Sequence, residues 1–177
     1  KEVRGAEKQV QLKRLSQVPG VYIPSLYEVT YEGTNGAIKS IEPIDKDIPA
    51  VLQKQTYRGN SLSASTVVTE KAAWENIFMV EVVRSCPELC RFCLASYLTL
   101  PFRSASLEGS LIPAIARGLT VTKRLGLLGA SVTQHPEFES LLDYLSQSKY
   151  DDIRLSIASV RTNTVTEKLA KILANRD

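Results

Sequence analysis

The chain has 177 residues, 44% of them hydrophobic, which is enough for one sizeable core or for a domain with an appendage. Lys and Arg total 22 against 19 Asp and Glu, and the net charge of +3 includes no long basic run, so a nucleic-acid partner is not indicated. No apolar stretch approaches the roughly 20 residues of a membrane-spanning helix; the most apolar segment, Ile77 to Val83, is short and contains Glu81.

In chain order, Glu2 to Leu15 spaces Val3, Val10, Leu12 and Leu15 among charges at helical intervals and stops before Pro19 and Gly20, which predicts a helix. Leu26 to Tyr31 and Ala37 to Glu42 flank Gly33-Thr34-Asn35-Gly36, where Asn-Gly accepts positive φ at little cost, so the two runs are expected to pair as a hairpin. From Pro43 to Glu75 the pattern is weak, with Ala50 to Tyr57 extended and Arg58 to Ser65 rich in turn formers. This stretch reads as a connecting arm, which places a first region at residues 1–75 and a second at 76–177.

The second region has a regular rhythm. Strands are expected at Ile77 to Val83, Lys123 to Leu128 and Asp152 to Ile157, with helices at Leu107 to Gly118, Pro136 to Gln147 and Val165 to Asn175. Strands alternating with helices predict an α/β fold with a parallel sheet built from crossover connections. Three such units cannot close a barrel, and the chain stops after the third helix, so the sequence reads as a fragment cut at both ends. Trp74, Ile77, Phe78 and Met79 are expected to be core and domain-joining residues.

All three cysteines fall between positions 86 and 93, which is unlike a disulfide framework and points to a reducing compartment, such as the cytoplasm or the plastid stroma. Cys86-Pro-Glu-Leu-Cys90-Arg-Phe-Cys93 directly follows the first strand of the alternating region, at its carboxyl end, where parallel α/β folds build ligand sites. Spacings of three and two residues let one loop wrap three soft thiolates around one face of an iron–sulfur cluster or around zinc. A closed structural zinc site wants four ligands, and the only histidine, His135, stands far along the chain before Pro136, where a local capping or surface role is the default.

Cys86-x3-Cys90-x2-Cys93, with Phe92 just before the last cysteine, resembles the signature of the radical S-adenosylmethionine (radical SAM) superfamily. The stretches PGVYIPSLYEVTY, VEVVRSCPELCRFCLASYLTLPFR and GLLGASVTQHPEFESLLDYL resemble the group whose catalytic barrel follows a cobalamin-binding-like domain. The resemblance implies the N-terminal half of a partial (β/α)6 TIM-like barrel, preceded by a small α+β arm with a β-hairpin. It implies a 4Fe-4S cluster whose fourth iron takes S-adenosyl-L-methionine, reductive cleavage to a 5′-deoxyadenosyl radical, and an electron donor such as ferredoxin or flavodoxin. The remaining half barrel, and any cobalamin, would come from outside this chain. The substrate is not legible, and cobalamin-type chemistry and methylthio transfer both stay open.

The same resemblance assigns cofactor contacts. Cys86, Cys90 and Cys93 would hold the cluster and Phe92 would lie by the adenine, against the alternative of a ring packed under the loop. Gly126, Gly129, Ala130 and Ser131, at the end of the second strand, would meet the cofactor's amino group, small residues admitting close approach; a tight strand-to-helix turn is the alternative. Ser159 and Arg161 follow the third strand, where the arginine would pair with the cofactor's carboxylate or simply be solvated. Tyr97, Pro101 and Arg103 would close one side of the site, with Arg103 against substrate or an acidic reductase, the alternative being a solvated arginine on a loop. The competing readings are a non-catalytic iron–sulfur or zinc-binding module and an assembly factor.

Overall fold

A computed structural model describes residues 4–175 and divides the chain into two compact units, 1–58 and 59–177. In the first unit, helix α1 (Lys8–Ser16) starts later than the charge pattern suggests, after a turn at residues 4–5; Glu2 and Val3 lie outside the described residues. Strands β1 (Tyr27–Tyr31) and β2 (Ile38–Pro43) pair antiparallel, with Val29 opposite Ile41, and in the loop between them the positive φ expected of Asn35-Gly36 falls on Gly33 instead, at 71°. Leu26, Tyr27 and Ile48 form a small core on which Leu12, Ile23 and Leu52 pack. The Tyr27 hydroxyl donates to the Pro49 carbonyl at 2.7 Å, which lets an amphipathic ring sit in that core with its polar tip satisfied.

The second unit is mixed α/β. Strands β3 (Ile77–Glu81) and β4 (Val83–Arg84) are separated by one residue, and the chain then runs through helix α2 (Leu94–Leu98) to strand β5 (Arg103–Ser104). A π turn at Leu107–Leu111 leads into α3 (Ile112–Leu119), followed by β6 (Arg124–Leu128), α4 (Phe138–Leu145), β7 (Arg154–Ile157) and α5 (Glu167–Ala174). The sheet order is β3-β6-β7, all parallel, with Val80 beside Leu127 and Leu127 beside Ile157. β4 and β5 form a separate antiparallel pair.

Strand period 2 divides the sheet into two faces. Phe78, Val80, Leu125, Leu127 and Leu155 are buried in one cluster with Leu111 and Ile115, with Leu141, Leu142 and Leu145 of α4, and with Leu169 of α5. Each fully buried leucine of this set stabilises the fold by about 1.5–3 kcal/mol relative to an exposed one. The alternate positions Ile77, Met79, Gly126 and Ser156 face the other side, where with Trp74 they line an open cavity of about 240 Å³. Trp74 is 66% exposed, so of the four residues assigned to the core only Phe78 is fully buried. Trp74 misses the core because it precedes the strand and falls on the uncovered face.

Residues 59–75 belong with the sheet rather than with the first region. The Ser65 N–H donates to the Met79 carbonyl at 2.9 Å, the Glu81 N–H donates to the Ser63 carbonyl at 2.8 Å, and Ala64 bridges Val80 antiparallel. Arg84 donates to Glu81 through Nε at 2.6 Å and to the Ser63 hydroxyl at 3.0 Å. Burial alone would push the Glu81 carboxyl up, but the hydrogen bonds from Arg84 and from Ser63 outweigh it and hold the group below its ordinary value. The segment thus lies along the outer edge of β3 as a cover.

Two expected outcomes test this packing. A Cβ on Gly118 would stand 2.2 Å from the buried Phe78 ring, so Gly118→Ala should cost about 1–3 kcal/mol by overpacking, read as a lower denaturation midpoint. The Tyr144 phenol is pushed up to about 12 by burial first and then by its hydrogen bond with Tyr150. It stays neutral in the fold while the unfolded chain ionises, so its contribution is whole below about pH 10 and disappears as pH rises towards about 12. Stability should fall across that window, and Tyr144→Phe should flatten the fall.

Candidate functional site

Because β3, β6 and β7 are parallel, the segments leaving Glu81, Leu128 and Ile157 emerge at one end of the sheet. The Cys86–Cys93 loop is on the first of these, Gly129 to His135 on the second, and Ser159 to Thr164 on the third. Val82 N–H donates to the Leu128 carbonyl at 2.8 Å and Val132 N–H to the Ser159 carbonyl at 3.2 Å, so the three segments are stitched together just beyond the strands.

The cysteine loop is shaped by two non-glycine residues in the left-handed region, Ser85 at φ 71° and Leu89 at φ 46°. Such residues are uncommon and cost of order 1–3 kcal/mol each, so the surroundings must hold them. They do: the buried Ser85 hydroxyl donates to the Ser96 carbonyl at 2.9 Å, and the Tyr97 hydroxyl donates to the Leu89 carbonyl at 2.7 Å. Cys93 N–H closes a turn onto the Cys90 carbonyl at 2.9 Å.

All three cysteines are free and partly buried. In this arrangement no three His, Cys, Asp or Glu side chains among the described residues stand at metal-binding geometry. The donor set nonetheless fits an iron–sulfur centre in kind: three soft thiols, none in a disulfide, on one short loop at the carboxyl end of a parallel sheet. Gathering the sulfurs on one centre takes rearrangement within residues 86–93. Cys93 precedes α2, and its thiol is held below its ordinary value chiefly by the Ser96 backbone N–H, then by the Ser96 hydroxyl, whose oxygen is 3.6 Å from Sγ.

The other expected contacts fare differently. Phe92 is 92% exposed, which removes the alternative of a ring packed under the loop. Gly126 is not at the strand end but in the middle of β6, where a Cβ would come within 3.1 Å of Ile77 Cδ1 on the open face. Gly129, at φ +155°, lies so close to β4 that a Cβ would meet Val83 Cγ2 at 2.5 Å and the Val83 carbonyl at 2.8 Å. Its smallness therefore serves a protein contact at a tight exit from the strand. Ala130 is exposed, while Ser131 is 1% exposed and its hydroxyl is buried without a hydrogen-bond partner. An orphaned buried hydroxyl is costly and is the kind of group a polar ligand would satisfy.

Ser159 is exposed and contributes its carbonyl to Val132. Arg161 is neither solvated alone nor open: its guanidinium pairs at 3.4 Å with Glu88, inside the cysteine loop, and its Nε donates to Asn163 at 3.3 Å. Arg103 donates to the Pro101 and Thr99 carbonyls, both at 3.2 Å, and so braces the loop after α2. His135 is 4% exposed, which corrects the surface half of its expectation and leaves the capping half standing. Its Nδ1 accepts from the Glu137 N–H at 3.0 Å, so the ring is the Nε2–H tautomer, donating to the Ala105 carbonyl at 2.6 Å. Both nitrogens are used within the fold, so His135 is not offered to a metal.

Glu88 and Gln134 were not expected as site residues. The Gln134 amide donates to Glu88 Oε1 at 2.6 Å, and its carbonyl oxygen lies 3.9 Å from Cys86 Sγ. A carboxylate placed inside the cysteine spacing was the available signal for Glu88; nothing local distinguishes Gln134.

No family model matches this chain, and no solved structure matches it. It is similar to an uncharacterized protein of Methanocaldococcus jannaschii, 30% identical over 107 residues. That match covers 59% of this chain and 23% of the relative, so the chain spans less than a quarter of the relative's length.

In the metal-free chain, Cys93 should be alkylated by iodoacetamide at lower pH than a small-molecule thiol, and Ser96→Ala should move the profile part of the way back up. Peptide mass spectrometry across a pH series reads both.

Proposed function

We propose that this chain carries the cluster-binding loop and the first three β/α units of a radical SAM enzyme, a six-unit partial barrel of which the later strands lie elsewhere in the intact protein. The observation that carries the reading is the placement of Cys86-x3-Cys90-x2-Cys93, all free, on the loop leaving the first strand of a parallel sheet. The half-exposed second face of that sheet, with Ile77, Met79 and Gly126, also supports a barrel wall, whose inner side would be covered by further strands and ligand.

Cys86, Cys90 and Cys93 would hold a 4Fe-4S cluster. When bound, the cluster would supply one electron to S-adenosyl-L-methionine, whose carbon–sulfur bond breaks to methionine and a 5′-deoxyadenosyl radical. The chain's own residues would bind and orient that cofactor: the exposed Phe92 is free to lie by a base, and the partnerless Ser131 hydroxyl is ready to accept or donate a hydrogen bond. Arg161, engaged with Glu88, would have to exchange partners to reach a carboxylate. An electron donor such as ferredoxin or flavodoxin and a reducing compartment such as the cytoplasm or plastid stroma complete the reading; any cobalamin would come through a domain outside this chain. Among the described residues no helix is long and apolar enough to cross a membrane.

The alternatives are a non-catalytic iron–sulfur or zinc-binding module and an assembly factor. Zinc completed by His135 loses ground because both ring nitrogens are bonded within the fold. Anaerobic reconstitution with iron and sulfide, read by visible absorption and by electron paramagnetic resonance of the reduced protein, separates these. The expected outcome is a cubane signal that shifts on adding S-adenosyl-L-methionine and is lost in Cys90→Ala. Colourless protein retaining stoichiometric zinc would overturn the reading; a cluster signal indifferent to the cofactor would leave a binding module.

A further inference from the structure

The cysteine loop has a polar tether to each of the segments that leave β6 and β7, and both tethers end on one side chain. Glu88 lies between Cys86 and Cys90. Its Oε1 accepts from the Gln134 amide, on the segment leaving β6, at 2.6 Å. Its Oε2 is 3.4 Å from the Arg161 guanidinium, on the segment leaving β7. Both partners are themselves fixed. Gln134 turns its carbonyl oxygen towards Cys86 Sγ at 3.9 Å. Arg161 donates to Asn163, its backbone N–H reaches the Thr133 hydroxyl at 3.5 Å, and its carbonyl accepts from the Thr164 hydroxyl at 2.8 Å. Thr133 is buried, so the arginine's anchor is rooted in the packed part of the unit.

We infer that Glu88 is a positioning residue, held by Gln134 and Arg161 so that the Cys86–Cys90 turn keeps the orientation from which its thiolates can be gathered on one metal centre. The metal half of this statement rests on the function proposed above; the tether itself is a property of the metal-free chain. The side chains of Glu88 and Arg161 are about a third exposed, 31% and 36%. An ion pair that exposed adds little to global stability, so its consequence is local, on the conformation of the loop that carries it. The tethers also act together with the strained residues Ser85 and Leu89, because a turn held in a sparsely populated conformation relaxes unless its surroundings oppose it. Residues that orient metal ligands without touching the metal commonly change affinity by about 10–100-fold when altered.

The test uses the full chain with Glu88→Arg, Arg161→Glu and the double reversal, and takes two readouts beside the thermal midpoint. The first is the rate at which iodoacetamide alkylates Cys86 in metal-free protein, followed by peptide mass spectrometry. The second is the rate at which reconstituted protein loses iron to a chelator. Each single reversal should raise Cys86 alkylation severalfold with little change in thermal midpoint and should speed iron loss roughly 10-fold. The double reversal restores the ion pair with opposite polarity but not the bond from the Gln134 amide N–H, which a guanidinium cannot accept, so both rates should return part of the way to those of the parent. Glu88→Gln keeps the shape and removes the charge; it should move both rates in the same direction and stands in should a reversal fail to fold.

Unchanged Cys86 alkylation in the single variants, or a double variant no closer to the parent than the singles, would overturn the inference. If the parent takes up no iron while the alkylation pattern holds, the metal reading falls and the positioning role of Glu88 stands. If iron binds normally and alkylation is indifferent to all the variants, the positioning role falls and the metal reading stands.

Discussion

The pairing of three short strands in one direction is the constraint on which the rest of the second unit depends. Parallel neighbours cannot be joined by tight turns, so each connection must cross over, and the helices it carries bury one face of the sheet. Leu125 and Leu127 of the central strand are wholly buried against that layer. The same directionality delivers three exits to one end: the cysteine loop, the segment with Ser131 and Gln134, and the segment with Arg161. Reversing β3 would keep much of the apolar burial but separate Glu88 from both partners, and reversing β6 or β7 would remove Gln134 or Arg161 in turn.

Local signals carried most of the fold. Each strand and helix expected in the alternating region has a counterpart, because amphipathic runs such as Phe138–Leu145 state their own period, but the strand from Ile77 breaks after Glu81 and the helix from Leu107 opens as a π turn up to Leu111. The β1–β2 hairpin is equally local, although its positive φ falls on Gly33 and not on Asn35-Gly36. What was not legible depends on partners far apart in sequence. Nothing near Trp74 says that the face it falls on is uncovered, and nothing near residues 59–65 says that serine backbone groups will line the edge of β3. His135 illustrates the same limit, since its proline neighbour suggests a local role while its ring is buried and bonded to the distant Ala105 carbonyl.

The candidate site was legible in its donors and not in its frame. Three cysteines at spacings of three and two are a chemical statement readable without a fold. The reason for each surrounding residue is tertiary. Gly129 looked like room for a ligand and proves to be room for Val83; Arg161 looked like a free cation and is engaged by Glu88; Ser131, one small residue among several, is the buried hydroxyl left without a partner. Small size and positive charge are properties of a residue, whereas the use made of them belongs to what the fold brings alongside.

The strip of chain at Ser63–Ser65 gives the sheet a handed future. Its backbone occupies the outer margin of β3, and Arg84 and Glu81 lock it there. Among the described residues, the far margin of β7 has no such cover. A sheet sealed on one side and bare on the other can lengthen in a single sense, so any strand joining it, from the same polypeptide or another, must dock beside β7. The bare margin is also where copies of this chain would pair with one another, while the covered one protects the strand that feeds the cysteine loop.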